Sequence, residues 1–282
     1  MTDPVLPPLR EVIATYGLTA RKSLGQNYIP DMNINRKIAS FAAISSDDAV
    51  LEIGAGPGGL TRALLESAAA RVMAIEIDRR FAPVHEMLAA CYGTRFDYRI
   101  ADGLRFCEEE PLATPHHIVA NLPYNVATRF LTLWLTSRPW PPDWKSLVVT
   151  LQREVADRLM ARQGNSSYGR LSVLTQLRSQ VTRPLTLPAT VFVPAPAVSS
   201  AVVRIVPCKS PIPETLVPSL EAVTRLAFRQ RRKMVRSSLR SLFTDASREL
   251  ADLGIDPTRR AQDLGVDEYC HITRSRVEAG RI

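Results

Sequence analysis

Thiols and imidazoles are few and scattered in this chain of 282 residues. Cys91, Cys107, Cys208 and Cys270 form no C-x-x-C pair, and His85, His116, His117 and His271 share no metal-ligand spacing with them. Reduced structural thiols and no bound metal are therefore expected. No apolar run approaches membrane-spanning length, which excludes a helical membrane span. The proline-rich stretch from Met1 to Arg10 lacks the basic-then-apolar layout of a signal peptide, so the expected location is the cytoplasm. Internal repeats and low-complexity tracts are missing as well.

What is present suits a folded globular protein. Hydrophobic residues make up 45% and charged residues 23%, enough for a sizeable core. The length allows one large domain, or a medium one with a small companion. A formal charge of +8 favours a polyanionic partner.

Short apolar runs alternate with helical patterns. Strands are predicted at Ala49–Ile53, Val72–Ile77, Tyr98–Ala101, His117–Ala120 and Leu147–Leu151, with a crossover helix over Leu60–Ala70. That alternation predicts a parallel α/β sheet with ligands at the carboxyl ends of its strands. Val181–Leu187 and Ala201–Val206 then flank a Pro-rich stretch, Phe192–Pro196, with no helix between them, as in an antiparallel hairpin that finishes the sheet. The segment Cys208–Pro213 reads as a linker, and from Glu214 onward the pattern is helical. The expected division is therefore residues 1–207 and 208–282.

The first strand runs into Glu52-Ile53-Gly54-Ala55-Gly56-Pro57-Gly58-Gly59, where Gly54, Gly56 and Gly59 satisfy G-x-G-x-x-G. A dinucleotide-binding loop followed by the ribose-binding acid Glu76 looks the same, so a nicotinamide oxidoreductase is a legitimate alternative. Pro57 and the extra Gly58 fit poorly with a helix starting directly under a pyrophosphate. S-adenosylmethionine has no phosphate. It needs a close backbone, a carboxylate for its ribose (Glu76) and an acceptor for its adenine amine (Asp102).

A further tetrad, Asn121-Leu122-Pro123-Tyr124, closes the fourth strand. An amide, a proline-fixed backbone and an aromatic ring at a strand end can hold one exocyclic amine, with the ring stacked on the base that carries it. As an isolated signal the tetrad also makes ordinary turns. In order, the glycine loop, Glu76, Asp102 and Asn121 place polar residues at four successive strand ends.

These pieces together resemble the ribosomal RNA adenine dimethyltransferase family, most closely its bacterial small-subunit branch. Arg21–Ile29, Glu52–Gly58, Glu76-Ile77-Asp78, Asp102 and Asn121–Tyr124 follow the family order. Gln152–Ala156, Tyr168–Val173, Phe192–Pro196, Ser199–Arg204, Arg231–Lys233 and Gly254–Ala261 extend the likeness to nearly the whole length. The resemblance implies a Rossmann-like class I methyltransferase domain with a seven-stranded mixed sheet, plus a small all-helical C-terminal domain that binds RNA. It implies S-adenosylmethionine as cofactor, held by Gln26, Asn27, Ile29 (through its backbone), Gly54, Gly56, Glu76, Asp102 and Asn121. Asn121, Leu122, Pro123 and Tyr124 would carry the chemistry.

The implied reaction methylates N6 of two adjacent adenosines near the 3′ end of 16S RNA, giving N6,N6-dimethyladenosines during ribosome biogenesis. The implied partner is the small ribosomal subunit, and a monomer is expected. Two departures stand out: Tyr28-Ile29 where the family usually has Phe-Leu, and Ala197 and Ser199 where Lys and Asp are more usual. Phe192 is a candidate for the second face of the flipped base, or else a core aromatic beside the hairpin. Arg229, Lys233, Arg236 and Arg240 recur at spacings that place them on one helical face, with Phe228, Val235, Leu239 and Leu242 on another. Such a face suits phosphate binding. Rival readings are the large-subunit resistance methyltransferases and a non-catalytic small-subunit assembly factor.

Overall fold

The computed structural model describes residues 6–109 and 116–282, so the first five residues of the N-terminal stretch read above lie outside the described residues. Its strands are β1 (Ala49–Ile53), β2 (Arg71–Glu76), β3 (Phe96–Ile100), β4 (His117–Asn121), β5 (Ser146–Gln152), β6 (Ser179–Leu187) and β7 (Ser200–Pro207). They form one sheet in the order β3-β2-β1-β4-β5-β7-β6. The first five run parallel, and β7 is antiparallel to β5, so the sheet is mixed as expected. All five strands read from periodicity occur, Ala49–Ile53 with the bounds expected and the others with bounds displaced by at most two residues.

Burial explains why these runs are strands. In β4 and β5 every residue but the last is buried, the continuous apolar pattern of a strand covered on both faces. On the outermost strand, β3, Asp97 and Arg99 are exposed, charges that suit an unpaired edge. The crossover helix covers Gly59–Leu65 and stops short of the expected Ala70. Side chains take over its last carbonyls: Ser67 Oγ donates to Leu64 O at 2.6 Å, and Arg95 Nη2 donates to Leu65 O at 2.9 Å. All seven residues of this helix are buried. Leu64, Leu65, Val72, Leu88 and Val119 belong to one apolar core with it.

The chain packs as two compact units. One takes the residues up to Leu133, Asp143–Ala156 and Thr182–Val206; the other takes Trp134–Pro142, Asp157–Val181 and Pro207–Ile282. The break expected after residue 207 lies one residue from the last of these crossings, and the earlier crossings have no counterpart in the expected division. Within the second unit, fully buried Arg178 donates through Nη1 to Leu135 O at 2.7 Å and lies 4.4 Å from the Trp140 ring. Trp140 Nε1 donates to Cys208 O at 2.8 Å. Contacts of this kind draw earlier segments into the helical unit, and a reading of composition along the chain does not register them. From Glu214 onward the described structure holds helices and one isolated bridge, Met234 to Arg260.

Candidate active site

The strand order puts Asp102, Glu76, the glycine loop and Asn121 along one edge. They lie at or just past the carboxyl ends of β3, β2, β1 and β4, four adjacent strands whose carboxyl ends face the same way. This is the crevice where strand order reverses, the usual ligand position in such sheets. A cavity of about 240 Å³ opens there, lined among others by Gln26, Asn27, Ile29, Gly54, Gly56, Glu76, Asp102 and Asn121–Tyr124. All eleven positions expected from sequence for cofactor and chemistry therefore meet in one place, and Gly54 and Gly56 take φ +77° and +51° there, a turn of the backbone that only glycine makes cheaply.

Glu76 is the anchor of the loop. Its Oε2 accepts from Gly56 N at 2.7 Å and its Oε1 from Asp78 N at 2.8 Å. Burial pushes its carboxyl up, and those amide donors pull partly the other way. Asp102 is exposed; its Oδ1 accepts from Leu104 N at 2.9 Å and so starts the helix Gly103–Glu109. Ile29 is buried, and its carbonyl accepts from Asn35 Nδ2 at 2.9 Å.

The N-terminal segment is fastened across the same edge. Asn121 Nδ2 donates to Asn27 O at 2.9 Å, which commits the NH₂ end of the amide and leaves Oδ1 to accept. Pro123 O accepts from Val126 N and Ala127 N, opening the helix Tyr124–Leu135. Tyr124 is half-buried, and its hydroxyl is 2.5 Å from Ser200 Oγ at the start of β7.

The match to known proteins decides the family. The model described as "Ribosomal RNA adenine dimethylase" matches residues 17–276. The chain belongs to the ribosomal RNA adenine dimethylase family. It is 48% identical to "Ribosomal RNA small subunit methyltransferase A" of Cereibacter sphaeroides over 269 residues, 95% of this chain and 96% of that one. To the protein of the same name from Dinoroseobacter shibae it is 46% identical over 275 residues, 98% of each. In fold it is similar to a dimethyladenosine transferase from Plasmodium falciparum, with a TM-score of 0.75 at 23% identity over 89% of this chain and 97% of that one. It is likewise similar to the 23S rRNA methyltransferase ErmE, with a TM-score of 0.67 at 23% identity over 89% of this chain and 99% of that one. The Rossmann-like methyltransferase fold expected from sequence is thereby established, and the oxidoreductase alternative falls.

In this dimethylase-family chain two expectations about RNA contacts need correction. Phe192 is 2% exposed and packs in the apolar core with Leu187 and Val202, so it presents no face to the cavity. Arg229, Lys233, Arg236 and Arg240 do not share a helix. The helix Val217–Arg229 ends at Arg229, Gln230 leaves helical geometry at φ −123° and ψ 62°, and a short helix resumes over Val235–Ser238. Val235 N instead donates to Arg259 O at 2.7 Å, which breaks the run. The four cations nevertheless converge, lining a second cavity of about 860 Å³ with Ser237, Ser238, Ser241 and Ser247. Val235, Leu239 and Leu242 are buried beneath, as the apolar stripe required.

Other residues of the site were not among the expected site residues, although Glu52 and Ile77 lie within the motifs read from the sequence. Glu52 lines the main cavity at 1% exposure beside Thr61, with neither carboxyl oxygen in a close hydrogen bond among the described residues, and burial pushes its carboxyl up to about 8. Its acid inside an apolar strand was visible, but not its isolation. Ile77 is 51% exposed and also lines the cavity. An apolar residue between two acids was the signal for it. Ser200 gave none.

Proposed function

We propose that the chain transfers methyl groups from S-adenosylmethionine to N6 of two adjacent adenosines near the 3′ end of small-subunit ribosomal RNA, giving N6,N6-dimethyladenosines as the subunit is made. The observation that carries this reading is the Asn121–Tyr124 tetrad beside the glycine loop, in a cavity whose ionisable residues include Glu52, Glu76, Asp102 and Arg129. That donor set suits a cationic sulfonium and a ribose diol, and disfavours a pyrophosphate. Family membership, and the small-subunit naming of relatives at 46–48% identity, support the RNA class.

When bound, S-adenosylmethionine supplies a methyl group made electrophilic by its sulfonium. Gln26, Asn27, the Ile29 backbone, Gly54, Gly56, Glu76, Asp102 and Asn121 would hold it, with Glu76 on the ribose and Asp102 on the adenine amine. The target amine is a poor nucleophile because its lone pair is conjugated with the ring. Hydrogen bonds from its two N–H groups to Asn121 Oδ1 and the Leu122 carbonyl turn the nitrogen toward tetrahedral geometry. Positive charge that develops on N6 then sits against two acceptors already in place. Pro123 fixes the backbone, and Tyr124 stacks on the flipped base. None of these residues is a strong base, so positioning supplies the rate and the proton leaves N6 to water.

The helical segment 208–282 would hold RNA through the Arg229, Lys233, Arg236 and Arg240 cavity, by phosphate contacts. Small ribosomal subunits are the proposed partner, a monomer the proposed state and the cytoplasm the proposed place. Among the described residues no helix is long and apolar enough to cross a membrane.

The test offers radiolabelled S-adenosylmethionine to small and large subunits stripped of adenine methylation. Label in small-subunit RNA alone is the expected outcome. Label confined to large subunits would move the chain to the resistance branch, and tight small-subunit binding without label would leave an assembly factor.

A further inference from the structure

The Tyr28 side chain sits at the hub of a closed circuit of contacts around the Glu76 carboxylate. Its ring meets Phe81 edge-on at 5.8 Å, and a Cβ at Gly56 would lie 3.5 Å from its Cε1, so the ring covers the glycine loop. Its hydroxyl donates to Gln26 Oε1 at 2.7 Å. Gln26 Nε2 donates to Asp78 Oδ2 at 3.1 Å, Asp78 N donates to Glu76 Oε1, and Gly56 N donates to Glu76 Oε2. From Gly56 the path returns to the Tyr28 ring.

Each member of the circuit is itself pinned. Gln26 Oε1 also accepts from Arg21 N at 2.9 Å. Asp78 is 4% exposed and is gripped by Arg80 through Nη2 at 2.6 Å and Nε at 3.0 Å; Arg80 Nη1 in turn donates to Thr19 O. Tyr28 N and O pair with Val193 O and N at 2.9 and 2.8 Å. The backbone pairing fixes where the ring stands; the hydroxyl gives Gln26 Oε1 its shortest hydrogen bond, beside Arg21 N and a long contact from Arg80 Nη2 at 3.5 Å, and so helps fix which way the amide turns. Without the hydroxyl the Gln26 amide is held less firmly for its bridge to Asp78, and the side-chain tie of residues 19–28 to the Glu76–Asp78 turn rests more heavily on Arg80 Nη1 and Thr19 O.

We propose that the Tyr28 hydroxyl is a positioning group that latches the N-terminal segment onto the Glu76–Asp78 turn and preorganises the cavity for S-adenosylmethionine. This rests on the cofactor reading above. The family resemblance places Phe here, so the latch is a feature of this chain. Tyr28→Phe removes the hydroxyl and keeps the ring, its packing and the backbone pairing. The second variant, Gln26→Glu, keeps the acceptor for Tyr28 but sets a carboxylate against Asp78.

The experiment measures hydrogen exchange of residues 17–29 in the ligand-free full chain, S-adenosylhomocysteine affinity by calorimetry, and the kinetic constants for S-adenosylmethionine. Both variants are expected to exchange faster in that segment and to bind S-adenosylhomocysteine about three- to tenfold more weakly, the size of one lost hydrogen bond. In Tyr28→Phe, KM for the cofactor should rise by a similar factor with kcat at saturation and the melting temperature unchanged. A purely structural role would instead lower the melting temperature. Unchanged exchange in Tyr28→Phe, or faster exchange with unchanged affinity, overturns the latch. Failure of the wild-type chain to bind S-adenosylhomocysteine would overturn the cofactor reading itself, a result neither variant can mimic.

Discussion

The Asn121 side chain and the Asn27 main chain are joined by one hydrogen bond, Nδ2 to O at 2.9 Å, which ties the end of β4 to the segment that crosses the cavity. The bond orients the amide whose oxygen is proposed to receive the target amine. Asn121→Asp keeps an acceptor but replaces the donor with an oxygen facing the Asn27 carbonyl. Methyl transfer is expected to fall by about 10²-fold, the order of a lost donor together with a misplaced acceptor. Single-turnover kinetics at saturating cofactor check this, with a loss in the rate constant itself.

Ser200 holds the hydroxyl of Tyr124 at 2.5 Å, and with it the ring proposed to stack on the base. Ser200→Ala should lower kcat about three- to tenfold through a mobile ring, the value of one hydrogen bond, and leave cofactor KM in place. Steady-state kinetics with small subunits separate the two constants.

Glu52 makes stability depend on pH. Burial raises its folded-state value to about 8, above the unfolded carboxyl value. The folded chain therefore binds the proton more tightly, and this contribution is fully present below the unfolded value and lost as pH rises through about 8. The stability of the wild-type chain should drop relative to Glu52→Gln between pH 5 and 8, by no more than about 1.4 kcal/mol per pH unit. Urea unfolding of both proteins across that range measures the difference.

The second cavity carries the electrostatic prediction. Arg236→Glu and Arg240→Glu, both on exposed side chains lining it, should weaken RNA binding without changing S-adenosylhomocysteine affinity. Each lost phosphate contact lowers the slope of log affinity against log salt by about 1. A salt titration of small-subunit binding reads that slope.

At the other end of the strands, Asp48 is 1% exposed and accepts from Lys145 Nζ, His116 Nδ1, His117 Nε2 and Ser45 N. Burial pushes its carboxyl up, and these donors outweigh it and hold it well below the usual range. Asp48→Ala strands several of them and should cost about 3–5 kcal/mol, whereas Lys145→Ala, on a mostly exposed side chain, should cost under about 1 kcal/mol. Denaturant unfolding compares the two.

The sheet was legible because its central strands are largely apolar and several lead to a chemically distinctive residue at their carboxyl ends. Glu76, Asp102 and Asn121 could be read as neighbours because parallel strands put their carboxyl ends on one edge. What could not be read depends on distant partners. Phe192 sits in a Pro-rich loop that looks like an entrance, and only its packing against Leu187 and Val202 shows it to be core. The Arg229–Arg240 spacing mimicked a helix, while the pairing of Met234 and Val235 with residues near Arg260 breaks it. Segments 134–142 and 157–181 join the helical unit through Arg178 and Trp140, contacts without any local signature.

The most direct test of the account is to locate the product. Small subunits lacking adenine methylation, incubated with S-adenosylmethionine and the wild-type chain or Asn121→Ala, are digested to nucleosides and the modified positions mapped by mass spectrometry. N6,N6-dimethyladenosine at two adjacent adenosines near the 3′ end, abolished in Asn121→Ala, is the predicted result. Dimethyladenosine at full yield in the variant, or methyl groups on another base or atom, would contradict it.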